Sequence, residues 1–194
     1  MPLHSIQSLS PTAVLGLWYL TETPAMLWAD LPNAAAYQPL LPAPADATRQ
    51  AQWLAGAPAG AVVSLSHSGE WVAAVLAQGG RAGVDVERIR DKAQRLAGKF
   101  LASHEWAHAR AAAPVAEADT HYTLLWSAKE ALYKLAAQRG IIFRQQLLLH
   151  EFSPAASGEI PATLVLGGAQ TRHRICYTQP APGYVLTYCH EPAG

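Results

Sequence analysis

Short apolar runs separated by turn residues form the clearest pattern in the middle of the chain. Residues 62–67 and 71–77 are two such runs, and the Ser-Gly-Glu turn between them predicts a β-hairpin. A third strand of the same sheet is predicted over residues 84–87. Its apolar and acidic residues alternate, so we expect one buried face and one face that carries two carboxylates.

The apolar period becomes helical after residue 89. It predicts one helix from residue 89 to about residue 110 and a second over residues 120–139, which Gly140 would close. The apolar residues of the second helix share an arc that faces away from Glu130 and Lys134. The arc consists of Leu125, Ala128, Leu132 and Leu135. This helix can therefore bury one side and keep charged groups on the other.

Four further strands are predicted in the last third of the chain, over residues 147–152, 162–166, 172–177 and 184–189. Turns rich in Pro and Gly join them. Residues 1–58 are rich in Pro and Ala and show no comparably clear period. Helices interspersed with antiparallel strands are typical of an α+β fold, which is the class we predict.

Composition limits the classes of function. A chain of 194 residues with 51% hydrophobic residues can bury the core of one domain or of two small packed halves. Charged residues make up 14%, against about 25% in an average soluble domain, and the formal net charge is zero. The whole molecule therefore has no general attraction to nucleic acid or to an anionic membrane, and a charged partner must be bound by a local patch.

Neither export nor a disulfide is expected. The apolar run at residues 14–20 has no basic segment before it and is far too short to span a bilayer. The two cysteines, Cys176 and Cys189, both lie in predicted strands, without the histidine spacing of a zinc site. We expect both thiols to be reduced core residues of a cytoplasmic protein.

Three carboxylates and one ammonium group are the candidates for chemistry. In a strand, Asp85 and Glu87 project from the same face, where their charges repel each other unless a cation is bound. Trp126, Glu130 and Lys134 recur at every fourth position and so share one helix face. Because Mg²⁺ prefers oxygen ligands, the pattern indicates a divalent-metal phosphoryl-transfer site. The alternatives are a solvated strand face and a surface salt-bridge ladder on the helix.

Three segments in a fixed order carry a resemblance to a known family. They are Ser64-Leu65-Ser66-His67-Ser68-Gly69, Gly83-Val84-Asp85-Val86-Glu87 and Trp126-Ser127-Ala128-Lys129-Glu130-Ala131-Leu132-Tyr133-Lys134, followed by Pro182-Gly183-Tyr184. From about residue 62 to its end, the chain resembles the Sfp/AcpT type of 4′-phosphopantetheinyl transferase. The marks of that type are S-H-S, G-x-D-x-E and W-x-x-K-E-x-x-x-K motifs. Each motif alone is weak, but the three in this order are specific.

The resemblance implies a pseudo-twofold arrangement of two similar halves, each a helix packed on an antiparallel sheet, with the ligand site between them. Residues 1–88 would form an N-terminal half that is shortened relative to the family, and residues 89–194 the C-terminal half of one compact unit. The family transfers 4′-phosphopantetheine from coenzyme A to a serine of a carrier protein in fatty acid, polyketide or nonribosomal peptide biosynthesis. Adenosine 3′,5′-bisphosphate is released. A chain with both halves can complete its own site, so we expect a monomer.

The resemblance also implies roles for the site residues. Asp85, Glu87 and Glu130 would hold Mg²⁺ against the pyrophosphate of coenzyme A. Lys134 would contact the phosphates and neutralise charge in the transition state, or protonate the leaving phosphate. Glu130 could instead deprotonate the incoming serine, and its roles as ligand and as base remain alternatives. Trp126 looks like a packing residue that fixes the helix.

The phosphates of coenzyme A would be contacted by Ser66 and His67, with His67 near the 3′-phosphate or, alternatively, a structural histidine. Family members usually carry several basic residues in the first half, whereas Arg49 is the only lysine or arginine before Arg81. Either Arg49 carries the 3′-phosphate alone, or Arg81 and residues near the chain end replace the missing contacts. Glu105 resembles an acidic residue near the family's site, although an exposed glutamate at a helix start explains it equally well.

A basic stripe on an otherwise neutral chain suggests where the protein partner docks. Four basic residues are spaced to fall within an arc of about 60° on a helix. They are Arg88, Lys92, Arg95 and Lys99. Carrier proteins are acidic along the helix that follows their modified serine, so this stripe is our candidate docking surface. The alternative is a solvated face without a partner.

Two other functions are compatible with the same residues. One is a catalytically weak protein of the same fold that binds coenzyme A or a nucleotide, which would show ligand binding without Mg²⁺-dependent carrier modification. The other is an unrelated Mg²⁺-dependent hydrolase of a pyrophosphate, in which water replaces serine. The hydrolase would consume its substrate without any carrier protein.

Overall fold

Two antiparallel sheets account for the strands in the computed structural model, which describes residues 3–19, 61–112 and 117–193. The first sheet has the order β1-β2-β4-β3 and consists of β1 (Leu3–Ser10), β2 (Ala13–Tyr19), β3 (Ala61–Ser68) and β4 (Trp71–Gln78). The second has the order β5-β9-β8-β7-β6 and consists of β5 (Arg81–Arg88), β6 (Leu147–Leu149), β7 (Ser157–Leu166), β8 (Ala169–Thr178) and β9 (Tyr184–Glu191).

The predicted hairpin is confirmed as β3 and β4. Trp71, Ala73 and Val75 are buried on one face of β4, and the residues between them are more exposed. Two leucines of β2 complete this apolar cluster. Gly69 has a φ of 57° in the turn, a conformation that glycine adopts at little cost.

The third predicted strand forms as β5 but joins the second sheet, so the prediction that it extends the hairpin sheet is wrong. β4 already pairs with β2 on one edge and β3 on the other, which leaves it no free edge. Gly79 and Gly80, both with positive φ, turn the chain away from β4. β5 then pairs with β9 in a register that runs from Arg81 opposite Glu191 to Arg88 opposite Tyr184.

Helix α3 (Ala118–Ala136) packs on the second sheet and carries its core. All four residues of the predicted apolar arc are buried, at 2% exposure or less. They are Leu125, Ala128, Leu132 and Leu135. The arc is therefore confirmed. The helix ends three residues earlier than predicted, because Ala137 already adopts the left-handed conformation, with a φ of 51°, before Gly140 is reached.

The single helix predicted from residue 89 to about residue 110 is two helices, α1 (Lys92–Phe100) and α2 (Ser103–Ala112). They are separated at Leu101, which is extended and buried. The ammonium group of Lys129 donates a hydrogen bond of 2.8 Å to the carbonyl oxygen of Phe100. This tertiary contact satisfies a carbonyl at the end of α1, and local periodicity gives no sign of it.

The C-terminal strands are present with different lengths. Residues 147–152 were predicted as one strand, but only Leu147–Leu149 pairs, after the short helix α4 (Phe143–Gln146). The last three strands are longer than predicted: β7 begins five residues earlier, β8 is extended at both ends, and β9 ends two residues later. β1 and β2 had no counterpart in the sequence interpretation.

The α+β fold class is confirmed: two antiparallel sheets and a few helices form roughly two similar halves. The division of the chain at residue 88 stays a prediction. β5, which precedes that boundary, is hydrogen-bonded into the second sheet.

Cys176 and Cys189 are free thiols, as expected, and Cys189 is buried. Burial raises the pKa of the Cys189 thiol, which donates to the carbonyl of Ala131 at 3.6 Å. None of the described helices is long and apolar enough to cross a membrane.

Candidate functional site

The candidate site lies where the two sheets meet, between β5 and α3. Val84 and Val86 of β5 are fully buried, and the alternation turns Asp85 and Glu87 the other way. β5 lies against α3, so the acidic residues of the strand share one site with Glu130 and Lys134 of the helix. The structure therefore brings the predicted carboxylates and the ammonium group together.

Gly83 permits this close approach of strand and helix. A Cβ atom at residue 83 would lie 1.9 Å from the carbonyl oxygen of Ala131 and 2.9 Å from the amide nitrogen of Leu135. Both are backbone atoms of α3, so they cannot move aside as a side chain can. The glycine of the G-x-D-x-E motif is thus needed to place the acidic strand against the helix.

Asp85 is the most deeply buried of the three carboxylates, at 4% exposure. Its Oδ1 accepts hydrogen bonds from Ser66 Oγ and Lys134 Nζ, both at 2.9 Å. Its Oδ2 is buried and has no hydrogen-bond partner among the residues that the structure describes. An unpaired carboxylate oxygen in such a place carries a desolvation cost that a cation would remove.

Glu87 is held by two donors. Its Oε1 accepts from the indole nitrogen of Trp126 at 3.1 Å, and its Oε2 accepts from Ser68 Oγ at 3.3 Å. The pKa of Glu87 is raised, first by burial and then by the charge of Asp85, against the lowering effect of these hydrogen bonds. The two acidic residues of β5 are therefore electrostatically coupled.

Trp126 does more than the sequence predicted. Its ring packs edge-on against Phe100 and stacks on Phe143, as expected of a packing residue. Its N–H also donates to Glu87. A tryptophan one turn before Glu130 was the available signal, but the orientation of its N–H depends on how α3 lies on β5.

Glu130 has a pKa raised to about 7. Burial contributes most, and the charges of Asp85 and, more weakly, Glu87 act in the same direction, while Lys134 opposes them. Among the described residues, none donates a hydrogen bond to its carboxylate. Glu130 therefore differs from the other two carboxylates, which are both held by donors.

Lys134 bridges strand and helix. Its Nζ donates to the carbonyl oxygen of Val84 at 2.8 Å and to Asp85 Oδ1 at 2.9 Å. The side chain is 26% exposed, and an ammonium group has three donors, so one N–H remains for a ligand. Lys134 and Arg81 both border a cavity of about 350 Å³ between β3 and the end of α3.

A divalent cation fits this donor set. Within the described parts of the chain, no three or more His, Cys, Asp or Glu side chains are grouped so that they could hold a metal ion. Mg²⁺ does not require such a group, because it usually keeps waters and shares substrate phosphates. One ammonium against three carboxylates leaves two negative charges uncompensated, and Asp85 Oδ2 has no partner. Asp85, Glu87 and Glu130 thus offer the oxygen ligands that Mg²⁺ takes.

The residues predicted to bind coenzyme A do not all face the acidic site. Ser66 lies at the site, but its hydroxyl is bonded to Asp85. His67 is exposed, and as the next residue of β3 it lies on the opposite face. Arg49 lies outside the described residues. Arg81, the alternative, forms an ion pair with Glu191.

Glu105 is a buried residue at 3% exposure, so the alternative of an exposed helix-start glutamate is wrong. It lies in the first turn of α2 and accepts a hydrogen bond from the amide of Ala102, as in a capping box. Its Oε2 also lies 2.6 Å from Nζ of Lys129, whose pKa is lowered by burial and raised in part by Glu105. The pair fixes α2 to α3 and leaves Glu130, the next residue, free to face the site.

The basic stripe is shorter than predicted, because Arg88 belongs to β5 and not to the helix. Lys92, Arg95 and Lys99 are exposed on α1, and Arg95 is paired with Asp91. Arg88 and Lys92 also border a cavity of about 230 Å³ that reaches Glu87 and Trp126. The basic helix face therefore begins beside the acidic site.

Comparison with known proteins identifies the family. No curated protein matches the chain. A family model for the 4′-phosphopantetheinyl transferase superfamily matches residues 81–189, more than half of the chain. The matched segment contains all three carboxylates of the site, together with Lys134. The chain therefore belongs to the 4′-phosphopantetheinyl transferase superfamily.

Proposed function

We propose that this protein transfers 4′-phosphopantetheine from coenzyme A to a serine of an apo carrier protein, as a transferase of the Sfp/AcpT type that depends on Mg²⁺. The observation that carries the proposal is the convergence of Asp85, Glu87, Glu130 and Lys134 between β5 and α3, within the segment that matches the family. The monomeric state and cytoplasmic location predicted from the sequence stay part of this proposal.

Asp85, Glu87 and Glu130 are the proposed cation ligands. When bound there, Mg²⁺ would neutralise charge on the pyrophosphate of coenzyme A. The protein's own contribution is a buried group of oxygens that needs little reorganisation. Asp85 is fixed by Ser66 and Lys134, and Glu87 by Ser68 and Trp126.

Glu130 is the proposed general base. The serine oxygen of the carrier forms a bond to the β-phosphorus of coenzyme A, and the bond from that phosphorus to the bridging oxygen breaks. The serine proton passes to the carboxylate of Glu130 where Asp85 and Glu87 alone hold the cation, so base and cation ligand remain alternative roles of Glu130. Lys134 lies one helical turn away and stabilises the negative charge that develops on the leaving phosphate.

Basic side chains are the proposed contacts of the adenosine part of coenzyme A. Arg81 and Lys134 border one cavity beside β3, which supports a place for phosphate groups there. Arg49 and His67 stay proposed contacts of the 3′-phosphate, in line with the family resemblance. The acceptor is proposed to be an acidic carrier protein that docks on the face of α1 that carries Lys92, Arg95 and Lys99.

The direct test is the intact mass of purified apo carrier proteins after incubation with this protein, coenzyme A and Mg²⁺. We expect the mass to rise by one phosphopantetheine, and the gain to vanish with a chelator or in Glu130→Gln. The matched control is Glu151→Gln, an exposed residue far along the chain from the site, which should retain activity. No gain on fatty-acid or peptidyl carriers, with coenzyme A still bound, would contradict the transferase and favour a binding protein. Cleavage of coenzyme A without a carrier would favour a hydrolase.

A further inference from the structure

A row of serine hydroxyls joins the two sheets. Ser64, Ser66 and Ser68 alternate along β3 and face β5, which runs parallel to it at the edge of the other sheet. Their Oγ atoms accept the backbone N–H groups of Val84 at 3.0 Å, Val86 at 3.2 Å and Arg88 at 3.1 Å. We call these three residues the seam serines. Their side chains thus accept backbone amides of β5, which is an edge strand of the second sheet.

Two of the seam serines make a second contact that the third does not make. Ser66 Oγ donates to Asp85 Oδ1 at 2.9 Å, and Ser68 Oγ donates to Glu87 Oε2 at 3.3 Å. The β5 residue in the corresponding position for Ser64 is Gly83, which has no side chain. Ser64 therefore has the same backbone contact without a carboxylate, and the structure contains its own control.

The second contact uses the only proton of each hydroxyl. A serine hydroxyl has one hydrogen to donate, and in Ser66 that hydrogen is bonded to Asp85. It is not available at the same time to a phosphate oxygen of coenzyme A. The geometry thus favours a different task for Ser66 from the phosphate contact expected from the sequence.

The contact determines which oxygen of Asp85 remains free. Oδ1 is occupied by Ser66 and Lys134, and this fixes the carboxylate with Oδ2 buried and unpaired. Ser68 and Trp126 hold the two oxygens of Glu87 in the same way. Hydrogen bonds to a ligating carboxylate orient it and commonly alter metal affinity by tenfold or more.

We propose that Ser66 and Ser68 are positioning residues that orient Asp85 and Glu87 toward a divalent cation. This inference rests on the proposed function only in taking those two carboxylates as cation ligands. Ser64 has no such role. The S-x-S-x-S pattern of β3 then serves two purposes, since all three serines join the sheets and two of them also set the acidic site.

The test compares Ser66→Ala with Ser64→Ala in the full chain, first by Mn²⁺ binding followed by electron paramagnetic resonance, without and with coenzyme A. We expect Ser66→Ala to weaken Mn²⁺ binding by about tenfold and Ser64→Ala to leave it unchanged. In transfer assays, Ser66→Ala should raise the Mg²⁺ concentration needed for half-maximal rate, with the KM for coenzyme A unchanged at saturating Mg²⁺. Ser68→Ala should behave like Ser66→Ala.

Ser66→Thr keeps the hydroxyl and should restore cation binding, which separates positioning from a loss of folding. Thermal melting should show that both alanine variants still fold; each loses one backbone contact across the seam, and Ser66→Ala also loses its bond to Asp85. Equal Mn²⁺ affinity in Ser64→Ala and Ser66→Ala would overturn the inference. So would a raised KM for coenzyme A with unchanged cation affinity, since that result would make Ser66 a phosphate contact. A protein that binds Mn²⁺ with this serine dependence but modifies no carrier would refute the proposed function and still support the inference.

Discussion

Lys129 and Glu105 form an ion pair that is almost completely shielded from water. Their side chains are 0% and 1% exposed, and Nζ lies 2.6 Å from Oε2. Lys129 also donates to the carbonyl of Phe100, and Glu105 accepts from the amide of Leu149 at 2.6 Å. Each charge is thus compensated by the other and by the backbone, so removal of one partner leaves a buried charge unpaired.

We expect Lys129→Met to lower the free energy of unfolding by about 3–5 kcal/mol, because Glu105 then remains buried without its counter-ion. Urea denaturation measures the change. The control is Lys99→Met on the exposed face of α1, which should stay within about 0.5 kcal/mol of the original protein. Adding Glu105→Gln to Lys129→Met should recover part of the loss. A single-variant loss below about 1 kcal/mol would show that the pair is not needed for stability.

His121 makes stability depend on pH. The residue is 2% exposed, and its ring stacks on Phe152. Neither ring nitrogen has a hydrogen-bond partner in the described part of the chain. Burial lowers the pKa of His121, and the charge of His108 lowers it further. As the pH falls, the unfolded chain therefore binds this proton before the folded protein does. The stabilising contribution is complete above the unfolded pKa of about 6.5 and is lost as the pH falls toward the folded value.

His121→Phe should consequently reduce the loss of stability between pH 7.5 and pH 5. The measurement is the midpoint of thermal unfolding at several pH values in that range. His104→Phe, at an exposed position of α2, serves as the control and should keep the pH dependence of the original protein. Identical pH profiles for His121→Phe and the original protein would contradict the role of His121.

The ion pair of Lys129 and Glu105 shows which contacts could be predicted from the sequence and which could not. Lys129 lies four residues after Leu125 and three before Leu132, so the helical period alone places it on the buried arc of α3. A lysine at that position requires a buried acidic or carbonyl partner, and this requirement could be predicted from the sequence. The identity of that partner could not be predicted. Glu105 is 24 residues away, and the pairing depends on how α2 packs against α3.

At the scale of elements, the contact between β5 and α3 leaves no room for a side chain at residue 83. A side chain at Gly83 would meet backbone atoms of the helix at 1.9 Å and 2.8 Å. We expect Gly83→Ala to separate the strand from the helix, with a cost of about 1–3 kcal/mol in stability. Transfer activity should fall by more than the smaller fraction of folded protein explains, since Asp85 moves relative to Glu130.

Gly98→Ala is the matched control for this prediction. A Cβ at residue 98 would meet only the ring of Trp106, which is 42% exposed and can shift. The free energy of unfolding of Gly98→Ala should remain within about 1 kcal/mol of that of the original protein, because alanine also favours the helix. Urea denaturation and the carrier-modification assay measure both variants. Full activity in Gly83→Ala would contradict the proposed need for close packing.

Whether a segment forms a helix or a strand could be predicted where its apolar period agreed with the turn residues beside it. Which strands pair with one another could not. The apolar runs of β3 and β4, the alternation in β5 and the apolar arc of α3 are local patterns, and all four elements formed. The sheet that β5 joins was missed because it depends on which strand edges are free. The break between α1 and α2 was missed because a side chain from α3 determines it.

For the whole molecule, the way the two sheets meet explains why the site is where it is. The edge strands β3 and β5 come together through the seam serines and not through backbone pairing. The sequence shows three alternating serines, and the resemblance directed one of them to a phosphate. Only the tertiary arrangement shows that this row of hydroxyls also touches the carboxylates.

The protein as a whole has no net charge, so recognition of an acidic carrier depends on a local field. Lys92 and Lys99 are exposed on α1, while the charge of Arg95 is partly compensated by Asp91. Reversing the two lysines, in Lys92→Glu with Lys99→Glu, should therefore slow the association with the carrier and raise its KM by about threefold or more. The KM for coenzyme A should change less than the KM for the carrier, because only Lys92 of the two borders the cavity that reaches Glu87.

A control of equal net charge distinguishes a local field from total charge. Arg172→Glu with Arg174→Glu alters two exposed arginines of β8, the central strand of the second sheet, which β9 separates from β5. This control should leave the KM for the carrier near that of the original protein. The difference between the two double variants should diminish as salt is raised above about 0.15 M, because screening shortens the range of the field. Equal effects of both double variants, or an equal rise in the KM for coenzyme A, would show that α1 does not dock the carrier.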